Sequence, residues 1–259
     1  MRVLCVGDVC APAGVEAALK TIPCLKRELK VDFTIVNGEN SALGNGILPE
    51  SAKELFSAGA DVITGGNHTL RRKEIYETLE SNSCVLRPDN IVSEYGSGYA
   101  LCDLGKYSVA VINLAGQVYL EREKAENPFL RAEELVSRAK ADGAKFIFVD
   151  FHAEATSEKR AMGFFLDGKV SAVFGTHTHV QTADAQVLPL GTGYITDLGM
   201  TGVINSVLGV KTEIIIDRLK SGGSDKFLQA EGKCMLNGCL FDIDDKTGLC
   251  VLAEGIYRE

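Results

Sequence analysis

A chain of 259 residues, 46% hydrophobic and 24% charged, has the balance of a globular protein able to bury a sizeable core, and no Pro/Ser-rich or low-complexity linker divides it. A net charge of −8 with a pI near 5.2 excludes a broad nucleic-acid or membrane surface, because such surfaces depend on clustered Lys and Arg. No segment approaches the roughly 20 apolar residues that span a bilayer, so we expect a single cytoplasmic domain over residues 1–259, with no membrane association. Basic runs such as Lys26-Arg27 and Arg71-Arg72-Lys73 are short and read as solvated helix faces.

In chain order, residues 2–7 read as a buried strand that meets Asp8 at once, a pattern unlike a signal peptide. Pro12 opens a helix running to about Lys30. Asp32 to Asn37 is the second strand, Leu48 to Ala58 a helix stopped by Gly59, and Asp61 to Thr64 a third strand. A charged helix is expected over 70–81. This alternation is the sequence form of parallel βαβ units. The rhythm then changes: 84–87, 98–104 and 107–113 read as strands, the last two close enough for antiparallel pairing and a mixed sheet. A helix from Pro128 to about Ala141, a strand over 145–151 and a helix from Thr156 to Leu166 follow, with Thr156 or Ser157 as its cap and Glu158 in its first turn. A strand precedes His177, short strands cover 184–188 and 193–197, and Lys211 to Lys220 is a helix ended by Gly222-Gly223. The segments 233–241 and 249–257 form a hairpin around Asp244-Asp-Lys-Thr-Gly248.

Eight cysteines show no Cys-x-x-Cys pair, and several lie inside apolar runs where Cys acts as a small core hydrophobe. That usage fits a reducing compartment. The four histidines are more informative. His68 ends Asp61-Val-Ile-Thr-Gly-Gly-Asn-His68, His152 ends Lys145-Phe-Ile-Phe-Val-Asp-Phe-His152, and His177 and His179 follow the strand around Val173-Phe174. In an extended segment residues two apart face the same way, so His177 and His179 are expected to project together.

Parallel sheets gather ligands at the carboxyl ends of their strands. Those positions here carry Asp8, Glu39-Asn40, Asn67-His68, His152, and His177 with His179. Mixed nitrogen and oxygen donors of this kind suit iron, manganese or zinc better than calcium. Each residue also has a structural alternative. Asp8 is a plausible helix cap, Glu39 and Asn40 are turn formers, and Asn67 suits a left-handed turn position. The glycines of Gly65-Gly66-Asn-His68 would let backbone and side chains crowd a small centre.

The order Gly7-Asp8, Gly38-Glu39-Asn40, Gly66-Asn67-His68, His152, Gly175-Thr-His177-Thr-His179 resembles the binuclear metallophosphoesterases of the calcineurin-like superfamily. Asn37-Gly-Glu-Asn40, Asp150-Phe-His-Ala-Glu-Ala-Thr-Ser-Glu-Lys159 and Gly175-Thr-His-Thr-His-Val-Gln-Thr-Ala-Asp184 are similar, more closely, to the bacterial YmdB-like branch, which includes 2′,3′-cyclic-nucleotide phosphodiesterases. The similarity runs from Met1 to the C-terminal hairpin, and Arg87-Pro-Asp-Asn90 also looks like a motif of the branch. Two positions depart from the superfamily pattern: Cys10 stands where most members have His, and Glu39 where they have a bridging Asp. The branch shares both departures, with Asn40 replacing the contact of the missing His; a Cys10 thiolate ligand is the alternative.

The resemblance implies an α/β fold, an α-β-β-α sandwich with mixed parallel and antiparallel sheets. It implies two divalent ions, iron or manganese before zinc or magnesium, one held by Asp8, Glu39, Asn40 and His179 and the other by Glu39, Asn67, His152 and His177. A hydroxide bridging the ions would attack phosphorus in line, and His68 would protonate the departing ribose oxygen, converting 2′,3′-cyclic nucleotides to 3′-nucleotides. It further implies a small phosphodiester substrate, no stable nucleic-acid complex and a homo-oligomer. A phosphomonoesterase or phosphoprotein phosphatase with the same centre is the alternative enzyme, and a nucleotide- or RNA-sensing regulator that has lost turnover the alternative class. Gly44-Asn-Gly46 and Thr196 to Met200 are candidate pocket loops.

Overall fold

The computed structural model describes residues 1–120, 124–223 and 226–259. Strands β1 (Arg2–Val6), β3 (Phe33–Asn37) and β4 (Val62–Thr64) run parallel, joined by α1 (Ala11–Glu28) and α2 (Pro49–Ala58). The expected βαβ units therefore form. Pro12 lies in the first turn of α1, where its missing N–H leaves no bond unmade, and Gly59 ends α2 at φ 106°, a backbone conformation that costs glycine little.

On the other side of β1 lie the C-terminal hairpin strands β12 (Cys234–Ile243) and β13 (Cys250–Arg258), then β11 (Met200–Val203) and β2 (Asp8–Val9). The second sheet runs β5 (Tyr99–Asp103), β6 (Ser108–Ala115), β7 (Phe146–His152), β8 (Ala172–Thr176), β10 (Gly193–Ile195) and β9 (Gln186–Val187). In it β6, β7, β8 and β10 are parallel, while β5 pairs with β6 antiparallel, as expected from their short connection.

Side-chain alternation assembles these pieces into four layers. Val3, Cys5, Phe33 and Ile35 on the first sheet meet Val109, Val111, Phe146, Phe148 and Phe174 on the second, all completely buried. The opposite face of the first sheet, through Leu4, Val6 and Val36, packs on α1 and α2. The opposite face of the second sheet, through Ile147, Val149 and Phe151, packs on α4 (Pro128–Ala141) and α5 (Thr156–Phe165). This is the expected α-β-β-α sandwich. Burying each such Phe or Leu is worth about 1.5–3 kcal/mol, so the layers are held mainly by apolar contact.

Three local expectations fail. The helix expected over 70–81 is two single turns, at Thr69–Arg71 and Lys73–Ile75, followed by the short α3 (Tyr76–Ser81). Arg72 is extended at the break, and its guanidinium donates to the carbonyls of Leu43 and Asn45. Segment 84–87 keeps only a bridge from Val85 to Ile63, because Arg87 turns away into the carbonyls of its own loop. The cap of α5 is Ala155, not Thr156 or Ser157. Glu158 does lie in the first turn, as expected, and it also accepts the backbone N–H groups of Gln117 and Val118 at 2.9 and 3.3 Å. Strands β2 and β11, two and four residues long, were too short to show a period. The helix expected over 211–220 is α6 (Thr212–Ser221), ended by Gly222 at φ 68°.

Candidate metal centre

The layer between the sheets is apolar over most of its length and becomes polar at the carboxyl ends of the strands. The inward parity of Phe33 and Ile35 on β3 continues to Asn37, and that of Phe146 and Phe148 on β7 continues to Asp150 and His152. Asp150 accepts from Asn37 Nδ2 at 3.1 Å, Thr176 Oγ1 at 2.7 Å and Thr64 Oγ1. Complete burial nonetheless pushes its carboxyl up to about 6. Thr176 Oγ1 lies 2.9 Å from His152 Nδ1, which leaves His152 Nε2 as the nitrogen facing the centre.

Around that nitrogen stand Asn67 Oδ1 at 3.0 Å, His177 Nδ1 at 3.1 Å and Glu39 Oε1 at 3.3 Å. Donor atoms of Glu39, His152 and His177 all lie within 4.8 Å of one another, a cluster able to hold a metal ion. Gly66 makes room for it, since a Cβ there would sit 2.2 Å from Glu39 Oε2 and 2.3 Å from His152 Nε2.

A second group adjoins the first through Asn40. Its Nδ2 lies 3.1 Å from Glu39 Oε1, 3.4 Å from Asp8 Oδ1 and 3.3 Å from His179 Nε2, and His179 Nε2 is 3.6 Å from Asp8 Oδ1. The buried Asn40 Oδ1 has no hydrogen-bond partner among the described residues. Turning the amide over would place that oxygen among the same three groups, where only a cation or a proton donor could satisfy it. With the mixed donor set and the Gly66 cradle, this orphaned oxygen shows that the residues fit a bound cation.

Backbone amides hold the carboxylates in place. His177 N donates to Asp8 Oδ2 at 3.1 Å and His68 N to Glu39 Oε2 at 2.8 Å. Burial alone would raise the Glu39 carboxyl, but neighbouring His152 and His68 hold it well below the usual range; for Asp8, contact with His179 likewise overcomes burial. Burial next to His152 pushes His177 down to about 3, keeping it in the neutral form a metal requires. His179 is raised despite burial by Cys10 and Asp8. Burial also pushes the Cys10 thiol up, and its Sγ lies 3.5 Å from His179 Nδ1, at the ring nitrogen opposite the one that faces Asp8.

The structure thus brings Asp8, Glu39, Asn40, Asn67, His68, His152, His177 and His179 together from both sheets. It does so by a route the spacing did not predict. His177 and His179 do not alternate along a strand: they follow β8 in a bend with φ values of 102° and 65°, and they reach opposite flanks of the centre. Such conformations cost about 1–3 kcal/mol each and persist only where the surroundings impose them. Here the imposing contact is the buried pair Lys159–Asp197 at 2.6 Å, whose carboxylate also accepts Thr178 N between the two histidines. Asp8 does not cap α1, whose cap residue is Cys10, and Asn67 is not left-handed. Glu39 and Asn40 do occupy a turn.

His68 is a quarter exposed, with Nδ1 3.2 Å from Glu39 Oε1 and Nε2 3.4 Å from Asn45 Nδ2. The sequence motifs contain the polar groups behind these side chains, Thr176, Asp150 and Lys159, and also Glu154, which lies 3.0 Å from His177 Nε2, but assigned none of them a role. The alternation of Asp150 with His152 was the available signal. Of the candidate loops, Gly44 and Asn45 line a cavity beside the centre, whereas Asp197 acts through Lys159 and Thr178.

The profile of the YmdB-like protein family matches residues 4–256. A curated relative from Bacillus subtilis (strain 168), named 2′,3′-cyclic-nucleotide 2′-phosphodiesterase, is 46% identical over 257 residues, covering 99% of this chain and 96% of its own. A crystal structure described as a novel phosphatase from Mycoplasma pneumoniae superposes with a TM-score of 0.93 at 33% identity, covering 100% of this chain and 93% of that one. A 5′-nucleotidase precursor from Thermus thermophilus, at 12% identity and a TM-score of 0.60, covers 99% of this chain and 54% of its own and shares the fold.

Proposed function

Because the chain belongs to the YmdB-like family, we propose that it is a metal-dependent phosphodiesterase that opens 2′,3′-cyclic nucleotides to 3′-nucleotides. The observation that carries this reading is the convergence of two donor groups on one carboxylate, Glu39, with the imidazole of His68 beside it. Asp8, Glu39, Asn40 and His179 would hold one divalent ion, and Glu39, Asn67, His152 and His177 the other; the mixed nitrogen and oxygen donor set suits iron or manganese. When bound, such ions lower the pKa of a coordinated water towards 7 and neutralise charge on the phosphate.

The residues of the chain supply the rest. Glu39 Oε1 accepts from His68 Nδ1 and fixes the ring, leaving Nε2 towards Asn45 and the cavity. A protonated His68 in this orientation donates its Nε2 proton to the ribose O2′ as the phosphorus–O2′ bond breaks and the oxygen of a water that has released one proton to solvent bonds to phosphorus. The phosphate remains on O3′. Such proton donation is worth about 10²- to 10⁴-fold in rate.

Protein loaded with Mn²⁺ or Fe²⁺ is tested on adenosine 2′,3′-cyclic phosphate against a panel of phosphomonoesters. We expect diester turnover to dominate. Glu39→Gln should lose both activity and most of the bound metal, whereas His68→Ala should keep its metal and lose rate by about 10²-fold or more. Wild-type rates in both variants, or a preference for monoesters, would refute the assignment.

A further inference from the structure

A cavity of about 610 Å³ opens beside the centre, starting at Cys10, Asn40 and His179 and extending between the 43–45 turn and segment 226–229. Pockets for small organic ligands span about 300–1,000 Å³, so the space exceeds what the scissile phosphate needs. Its charge is out of character for the chain. Acidic residues outnumber basic ones 35 to 27, yet among the described residues the cavity wall carries Arg71, Arg72 and Lys226 and no carboxylate. Arg72 is engaged with the carbonyls of Leu43 and Asn45, so it shapes the wall. Arg71 and Lys226 are exposed on it.

The wall also presents an aromatic ring. Phe227 is 51% exposed, and the guanidinium of Arg218 sits 4.6 Å from its centroid. An exposed ring flanked by cations is the arrangement on which nucleobases stack beside a phosphate backbone. A simple 2′,3′-cyclic nucleotide carries one phosphate, already accounted for at the metal-side groups. The exposed cations Arg71 and Lys226 on the wall of the same cavity therefore call for a second anionic group on the same ligand.

Resting on the phosphodiesterase reading above, we propose that this site takes 2′,3′-cyclic nucleotides bearing a further phosphate on the 5′ oxygen, with Arg71 and Lys226 recognising that phosphate and Phe227 stacking the base. Two sources share this chemistry: a 5′-phosphorylated mononucleotide, and the 3′ end of a short oligoribonucleotide. The acidic composition provides no track for a longer strand, so any gain is complete at the dinucleotide.

Mn²⁺-loaded protein is assayed with adenosine 2′,3′-cyclic phosphate, its 5′-phosphorylated form, and a dinucleotide and a decanucleotide ending in the cyclic phosphate. A 5′ phosphate should raise kcat/KM about tenfold, mainly through KM, and the double variant Arg71→Ala/Lys226→Ala should bring that ratio to about one. A wild-type ratio near one, or a ratio that survives the double substitution, overturns the proposal. A dinucleotide that matches the 5′-phosphorylated mononucleotide identifies RNA ends as a source; a dinucleotide with no gain restricts the ligand to mononucleotides. Phe227→Ala should raise KM for every substrate, and an unchanged KM removes the stacking role.

Calorimetric binding of adenosine 3′,5′-bisphosphate against adenosine 3′-phosphate reads the same pocket without turnover. The bisphosphate should bind about tenfold tighter to the wild type and with equal affinity to the double variant. A bisphosphate preference without cyclic-nucleotide turnover would overturn the reaction and leave the pocket standing. Turnover without the preference would do the reverse.

Discussion

At the scale of single residues, the centre depends on positions where no other side chain fits. Gly66 is the sharpest case, because a Cβ would overlap both Glu39 Oε2 and His152 Nε2. Gly66→Ala should therefore keep a native circular dichroism spectrum while its manganese content, by mass spectrometry, falls at least tenfold. Wild-type loading would show that the two donor groups do not need their observed separation. The residues that converge at the centre were legible in sequence, since Asp8, Glu39, Asn67 and His152 each follow a strand-like run. Their supports were not. Thr176 reads as an ordinary strand residue until β7 and β8 pair and bring its hydroxyl to His152 Nδ1. Hydrogen bonds behind a ligand commonly change metal affinity about 10- to 100-fold, so under the proposed function Thr176→Val should weaken manganese binding by that order.

At the scale of elements, β8 and the bend after it do work that alternation alone cannot. Two left-handed histidines so close together would relax into a strand or an ordinary turn without the buried Lys159–Asp197 pair that grips Thr178 between them. Lys159 comes from α5 and is 1% exposed, so its removal leaves an unpaired charge in the interior. Lys159→Ala should cost about 3–5 kcal/mol in urea denaturation. A loss below about 1 kcal/mol would mean that the pair does not hold the bend. Arg87 and Arg72 show the same principle in loops. In sequence Arg72 reads as part of a solvated helix face and Arg87 as part of a branch motif, but each is engaged with backbone carbonyls, Arg87 with those of its own 88–96 loop and Arg72 with those of the 43–45 turn. That is why the charged stretch 70–81 breaks instead of forming one helix: a period of apolar residues says nothing of a long side chain's distant partner.

At the scale of the whole molecule, two sheets converge so that one interior layer changes from phenylalanine to carboxylate and imidazole along its length. Glu39 and Asp8 are 1% exposed or less, so bound cations should stabilise the fold as well as serve the reaction. An ion at about 100 times its dissociation constant contributes about 2.7 kcal/mol, and for a chain of this size each kcal/mol moves the melting temperature by about 2–4 °C. Saturating Mn²⁺ should thus raise Tm by several degrees in the wild type and by little in Glu39→Gln; equal shifts in both would place the ion elsewhere. The sequence by itself determined the alternation of strands and helices, the antiparallel hairpins and the residue types that stand at the strand ends, because these are local patterns of period, turn residue and residue type. Only the tertiary structure decided that His177 and His179 serve opposite flanks, that Asn40 joins the two donor groups, and that the cationic wall of the cavity lies beside them. Those facts depend on contacts between residues far apart in the chain, fixed by sheet pairing and buried polar partners that no local pattern encodes.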